Sequence, residues 1–128
     1  MSLRSSPFFA RLTVVLVAGS ILAFLALRAS SFIQTLPWVP RPIGLWADAN
    51  GIVRNTAAFF AFGLLAFALL GRTRRTVVPL AVFATVIEVA QIWIPTRIFD
   101  LLDIVASLAG LALAWIVVRC AAWLAARR

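Results

Sequence analysis

The sequence predicts an all-α integral membrane protein, a four-helix bundle in a single domain over residues 1–128, with both termini cytoplasmic. Three observations predict it. Apolar residues make up 64% of the chain and charged residues 12%, against about 45–50% and about 25% in soluble domains. A soluble fold of this length would leave much of that apolar surface in water. Four apolar runs approach the roughly 20 residues that cross a hydrocarbon core. The basic residues, all Arg, flank those runs and form no continuous stripe, which is how topology signals are distributed.

The first run, Leu12 to Leu27, lies between Arg11 and Arg28. It extends to a span of about residues 12–30 if Arg28 snorkels to the headgroups. Its downstream edge, Ala26-Leu27-Arg28-Ala29-Ser30, lacks a small-x-small cleavage site and carries an Arg, so the run reads as a retained anchor and not as a signal peptide. The Pro-rich stretch Thr35–Pro42 is expected to lie extended at the interface, because proline disfavours helix in the residue before it. The second span covers about residues 55–71. The third, about 77–94, is closed by Pro95. The fourth, about 101–118, ends at Arg119, and the Arg-, Trp- and Ala-containing tail behind it reads as an interfacial extension.

Orientation follows from the short flanks. With four spans, Arg4, Arg11, Arg72, Arg74, Arg75, Arg119, Arg127 and Arg128 share one side, and Arg28, Arg41, Arg54 and Arg97 share the other. The richer side is expected to be cytoplasmic. Trp38, Trp46 and Trp93 then fall at the outer interface, and Trp115 and Trp123 toward the inner one.

The chain has no His and one Cys, Cys120. That excludes a zinc site of the His/Cys type and any Ser-His-Asp or Cys-His nucleophile. No cofactor or resident metal is expected. The net charge of +8 is assigned to lipid headgroups, and no nucleic acid is expected as a partner.

The acids are Asp48, Glu88, Asp100 and Asp103. Glu88 lies in the third span, about 9 Å inside its end at Ile94. A charged acid deep in a bilayer costs roughly 2.5–3.5 kcal/mol on insertion scales, so Glu88 must be protonated, paired or turned into the bundle. Thr85 and Gln91 flank it at three-residue spacing and share its face. Asp100 and Asp103 open the fourth helix, where the macrodipole favours acids. Asn55, Phe59 and Gly63 recur every four residues on the second span. Ser107, Gly110 and Ala114 form a small-residue face that permits close helix approach. Asn55, Glu88, Gln91, Arg97, Asp100 and Asp103 thus converge on one membrane edge, while Gly63, Ser107 and Gly110 serve packing. Each signal has a plainer reading. Glu88 and Gln91 can be an interhelical hydrogen-bond pair, Asp100 a helix cap, and Arg97 a loop charge reaching for phosphate.

These residues resemble a known family. Glu88-x-x-Gln91, then Pro95-x-Arg97-x-x-Asp100-x-x-Asp103, then Ser107 and Gly110, is similar to the signature of the VanZ-like membrane proteins. The segment Asn55 to Gly63 resembles that family's Asn-x3-Phe-x-Pro-x-Gly element. The match covers roughly residues 48 to 115. Three positions depart from it: Ala61 stands where the family has Pro, Ser107 where it has Asn, and Ala114 where Gly is frequent. The resemblance implies a small multi-pass protein of the bacterial cytoplasmic membrane, in a family named for a member linked to glycopeptide resistance.

The function expected on these grounds is an outward-facing polar cluster that binds or acts on a cell-envelope lipid, a lipid-linked precursor or an amphipathic antibiotic. Arg97, with Arg54, would hold a phosphate or carboxylate. Glu88 would serve as acid or hydrogen-bond donor, and Asp100 and Asp103 would orient the Arg or hold a hard cation. Two alternatives stand beside it. One is a small proton-coupled exporter, against which the first span carries no ionisable residue between Arg11 and Arg28. The other is a structural membrane subunit in which the cluster only fixes helix packing.

Overall fold

The computed structural model describes residues 7–28, 33–96 and 98–128. Within them the chain is helical throughout: α1 (Pro7–Leu27), α2 (Arg41–Ala49), α3 (Gly51–Leu70), α4 (Arg74–Ala90) and α5 (Leu101–Ala125), with 3₁₀ turns at Ile33–Thr35 and Gln91–Trp93. Four helices, Pro7–Leu27, Gly51–Leu70, Arg74–Trp93 and Leu101–Ala125, are long and apolar enough to cross a membrane. The expected all-helical bundle is therefore the architecture found.

The spans alternate in direction. The end of α1, the start of α3, the end of α4 and the start of α5 meet at one end of the bundle. The start of α1, the end of α3 and the start of α4 meet at the other, where Arg72 Nη1 donates to the Val118 carbonyl of α5 at 2.9 Å. The helix ends at Pro7 and Ala125 consequently share an end.

Local chemistry explains the breaks. Gly71 closes α3 with φ +85°, and its N–H donates to the Phe67 carbonyl, a helix terminator that glycine adopts without steric penalty. Ile94 is extended (φ −101°, ψ 111°), as a residue before proline should be, so α4 tightens into a 3₁₀ turn and stops.

The stretch expected to lie extended at the interface departs from that reading at both ends. Thr35 belongs to a 3₁₀ turn, and Arg41 and Pro42 open α2, with Pro40 as N-cap. Proline in the first helical turn costs no hydrogen bond and presets φ, so the same residues that break a helix interior begin this one. Gly44 and Ala47 are buried against the Ile33–Thr35 turn; a Cβ at Gly44 would strike the Gln34 backbone. α2 leads through Asn50 into α3, which begins a turn earlier than expected.

α3 and α5 form the closest pair of helices in the bundle. A Cβ on Gly63 would lie 2.8 Å from Ala114 Cβ, and one on Gly110 would overlap the Thr56 carbonyl. The core between the spans is built from Val15, Phe59, Phe62, Ala66, Phe67, Leu80, Ala84, Ile87, Leu111 and Ala114. Val14, Leu16, Val82, Val86, Leu113 and Ile116 point outward, as lipid-facing positions on spanning helices do.

Candidate polar site at one end of the bundle

A cavity of about 130 Å³ opens where α1, α3, α4 and α5 meet. α1 gives it an apolar wall of Leu22, Leu25 and Ala26, and Ile33 closes it from the adjoining turn. The other helices give it Arg54, Asn55, Glu88, Gln91 and Asp103. Four of the six site residues expected from sequence therefore line one cavity: Asn55, Glu88, Gln91 and Asp103.

Glu88 is 3% exposed and accepts a hydrogen bond at Oε1 from the Ser107 hydroxyl at 3.4 Å. Gln91 is 6% exposed, and its Nε2 donates to the Ala26 carbonyl of α1 at 3.5 Å. The two side chains therefore tie α4 to two different neighbours, one contact on α5 and one on α1. Buried polar groups need such partners, since an orphaned one costs about 1–3 kcal/mol. Asn55, in the second turn of α3, and Asp103, in the first turn of α5, are half-buried.

Asp100 is placed otherwise. It is the N-cap of α5, its carboxylate accepting from the Leu102 N–H at 2.8 Å, and it is exposed. It does not line the cavity. The three-residue spacing to Asp103 does not carry over, because a cap residue has non-helical backbone and lies off the helical face. No group of three or more Asp, Glu, Cys or His side chains suited to a metal gathers among the described residues. Arg97 lies outside the described residues. Thr85, expected on the Glu88 stripe, donates to the Ala81 carbonyl one turn back, a self-contained bond open to threonine in a helix.

Two contributors fall outside the six residues expected to form the polar cluster. Ser107, read as a packing residue, is fully buried and also reaches Glu88. Its position four residues after Asp103 was the available signal. Asp48 holds the rim. Its carboxylate accepts from the Ile33 N–H at 2.6 Å and the Gln34 N–H at 3.2 Å, and pairs with Arg54 at 3.6 Å. The Asp48 side chain is only 8% exposed and that of Arg54 24%. One carboxylate thus fastens the 3₁₀ turn, α2 and the cationic side of the cavity together. Asp48→Ala is expected to raise amide exchange in residues 33–49 about five-fold or more, from the ~1–3 kcal/mol that each orphaned N–H group costs. Exchange in the α3–α5 core should stay as in the wild type. Hydrogen-exchange mass spectrometry checks this, and uniform loosening of the whole bundle would contradict it.

The aromatic residues frame the two ends. Trp38, Trp46 and Trp93 are exposed on segments at the cavity end. At the opposite end Arg119 lies over the Trp115 ring at 5.0 Å and Arg127 over Trp123 at 3.5 Å.

No curated protein and no solved structure matches the chain. The family model described as VanZ/LLP1 matches residues 5–124, which takes in the four spans to within one residue and every residue of the cavity. With that coverage, the chain is a multi-pass membrane protein belonging to the VanZ/LLP1 family.

Proposed function

We propose that the cavity receives the polar head of an amphipathic cell-envelope molecule at the outer face of the bacterial cytoplasmic membrane. The observation that carries this reading is the mixed lining. One wall is apolar and belongs to α1, while the opposite walls supply Arg54, Asn55, Glu88, Gln91 and Asp103. Such a seam between helices suits a ligand with a polar end and an apolar body.

Size narrows the ligand. About 130 Å³ has room for roughly four waters at ~30 Å³ each, well under the ~300–1,000 Å³ of a site that encloses a whole drug-sized molecule. A headgroup or one terminus fits, and the rest of the ligand stays in the lipid. Arg54 and Arg97 are the anion-holding groups, since guanidinium forks match phosphate and carboxylate. Glu88 donates or accepts toward the same ligand, and Asp48 positions Arg54. A lipid-linked precursor or an amphipathic antibiotic meets this description, and the second would link the chain to glycopeptide resistance. The outward orientation rests on the Arg distribution along the sequence, eight in the flanks expected on the cytoplasmic side against four in the flanks expected on the other.

The test is retention of an envelope-lipid ligand. Wild-type protein reconstituted with a bacterial envelope lipid extract should carry an anionic amphiphile through detergent purification, read by mass spectrometry. Arg54→Gln and Arg97→Ala should each lower it more than ten-fold with expression unchanged, the loss expected for one charge-assisted contact of about 1.5–3 kcal/mol. Equal retention by both variants would sink the reading. In a Cys120→Ala background, Trp38→Cys should label with an impermeant maleimide from outside intact cells, and Arg127→Cys should not.

A further inference from the structure

At the end opposite the cavity, α1, α3 and α4 enclose a groove of about 710 Å³. Its body is apolar, lined by Leu12, Leu16, Phe62, Leu80 and Phe83. Polar groups gather at one mouth, where Thr73 and Arg75 enter the lining at the start of α4. The volume falls in the ~300–1,000 Å³ range of small-molecule sites, and α1 is the least buried of the four spans, so the groove opens toward lipid.

The charge pattern identifies what fits there. All four acidic side chains of the chain are Asp48, Glu88, Asp100 and Asp103, and every one belongs to segments at the cavity end. The groove end carries Arg72, Arg74, Arg75 and Arg119 with none of them. Arg72 turns toward α5 and donates to the Val118 carbonyl, and Arg119 stacks on Trp115. Arg75 is the guanidinium at the groove mouth. A long apolar slot with one cation at its headgroup end complements an anionic amphiphile of that leaflet.

We propose that this groove is a binding site for an anionic phospholipid, with an acyl chain lying between α1 and α4 and its phosphate at Arg75. The site is separate from the cavity and stands or falls independently of the function proposed above. Its occupant comes from the leaflet at the Arg-rich end.

The experiment uses the full chain in nanodiscs of phosphatidylcholine and phosphatidylglycerol, with retained lipid read by native mass spectrometry. The wild type is expected to retain phosphatidylglycerol in preference to phosphatidylcholine. Arg75→Gln should cut that preference about five-fold, the worth of one Arg against an anionic headgroup at the interface. Arg74→Gln removes the same charge one residue away, outside the groove lining, and should leave it unchanged. Ser20→Trp and Leu16→Trp, both at outward-facing positions on the groove, should abolish retention without altering the thermal melt. An equal loss in Arg74→Gln and Arg75→Gln would mean a diffuse surface field and overturn the site. So would phosphatidylglycerol retention that survives both tryptophans, or a dimer mass that either tryptophan abolishes, which would give the groove to a second copy of the chain.

Discussion

Gly110→Val is expected to destabilise the protein by about 3 kcal/mol or more, the upper part of the range for overpacking a close-packed interior. The cause is local and specific. A Cβ at Gly110 would overlap the Thr56 carbonyl and stand 2.9 Å from the Phe60 nitrogen and 3.2 Å from Phe59 Cβ. Two of those obstacles are backbone, which cannot rotate away, so α5 would have to retreat from α3 along the closest helix contact in the bundle. Spanning helices associate through such close packing, since lipid supplies no hydrophobic drive between them. Gly110→Ala should show the same effect in part. Gly63→Ala should be milder, because its nearest contact is 2.8 Å to Ala114 Cβ and the next, at 3.2 Å, is the movable end of Leu111, against the backbone overlap at Gly110. Fluorescence-detected gel filtration after heating in detergent gives the order. A wild-type melt for Gly110→Val would mean the two helices do not approach as described. The consequence reaches the cavity, because Asn55 and Phe59 on α3 and Asp103 on α5 all line it.

The spans were legible because the bilayer imposes length and apolarity on them, and four runs between Arg residues satisfied both. Half of the cavity was legible for a related reason. A polar side chain inside a span must turn inward, so Glu88 with Gln91 at helical spacing marked one face of α4, and Asn55 with Phe59 one face of α3. Thr85 does not line the cavity, and its hydroxyl satisfies itself on Ala81 within its own helix. The same logic grouped Asp100 with Asp103, although one lies outside the first helical turn and the other inside it. Asp48 was illegible because its hydrogen-bond partners are the backbone N–H groups of Ile33 and Gln34, which carry no signature of residue type. Helix α2 was hidden by its prolines, which mark a helix start as readily as a break. Ser107 was visible as a small residue, but its bond to Glu88 depends on how α4 packs on α5, which no local pattern contains.

Substitutions at Glu88 should separate a ligand-binding role from a structural one, and the two effects are expected to diverge. Glu88→Gln keeps the size of the side chain and an oxygen able to accept from Ser107, so its melt should move by less than about 1 kcal/mol, in line with the ~0.6 kcal/mol average of interhelical hydrogen bonds in membranes. Glu88→Leu leaves the Ser107 hydroxyl and the polar cavity wall without a matching group, and should cost about 1–3 kcal/mol. A double-mutant cycle with Ser107→Ala should return a coupling of about 0.5–2 kcal/mol in the wild-type background, since the two side chains touch and cannot be additive. Ligand retention should behave differently, falling several-fold already in Glu88→Gln, because the acid O–H that Glu88 would donate to an anionic headgroup is replaced by a weaker amide donor even where the shape is preserved. If Glu88→Gln retained the ligand fully while Glu88→Leu lost stability and ligand together, Glu88 would be a strut between α4 and α5. A stable Glu88→Gln protein that no longer holds the ligand assigns the carboxyl group to recognition, because the strut would then be intact and only the acid's donor removed.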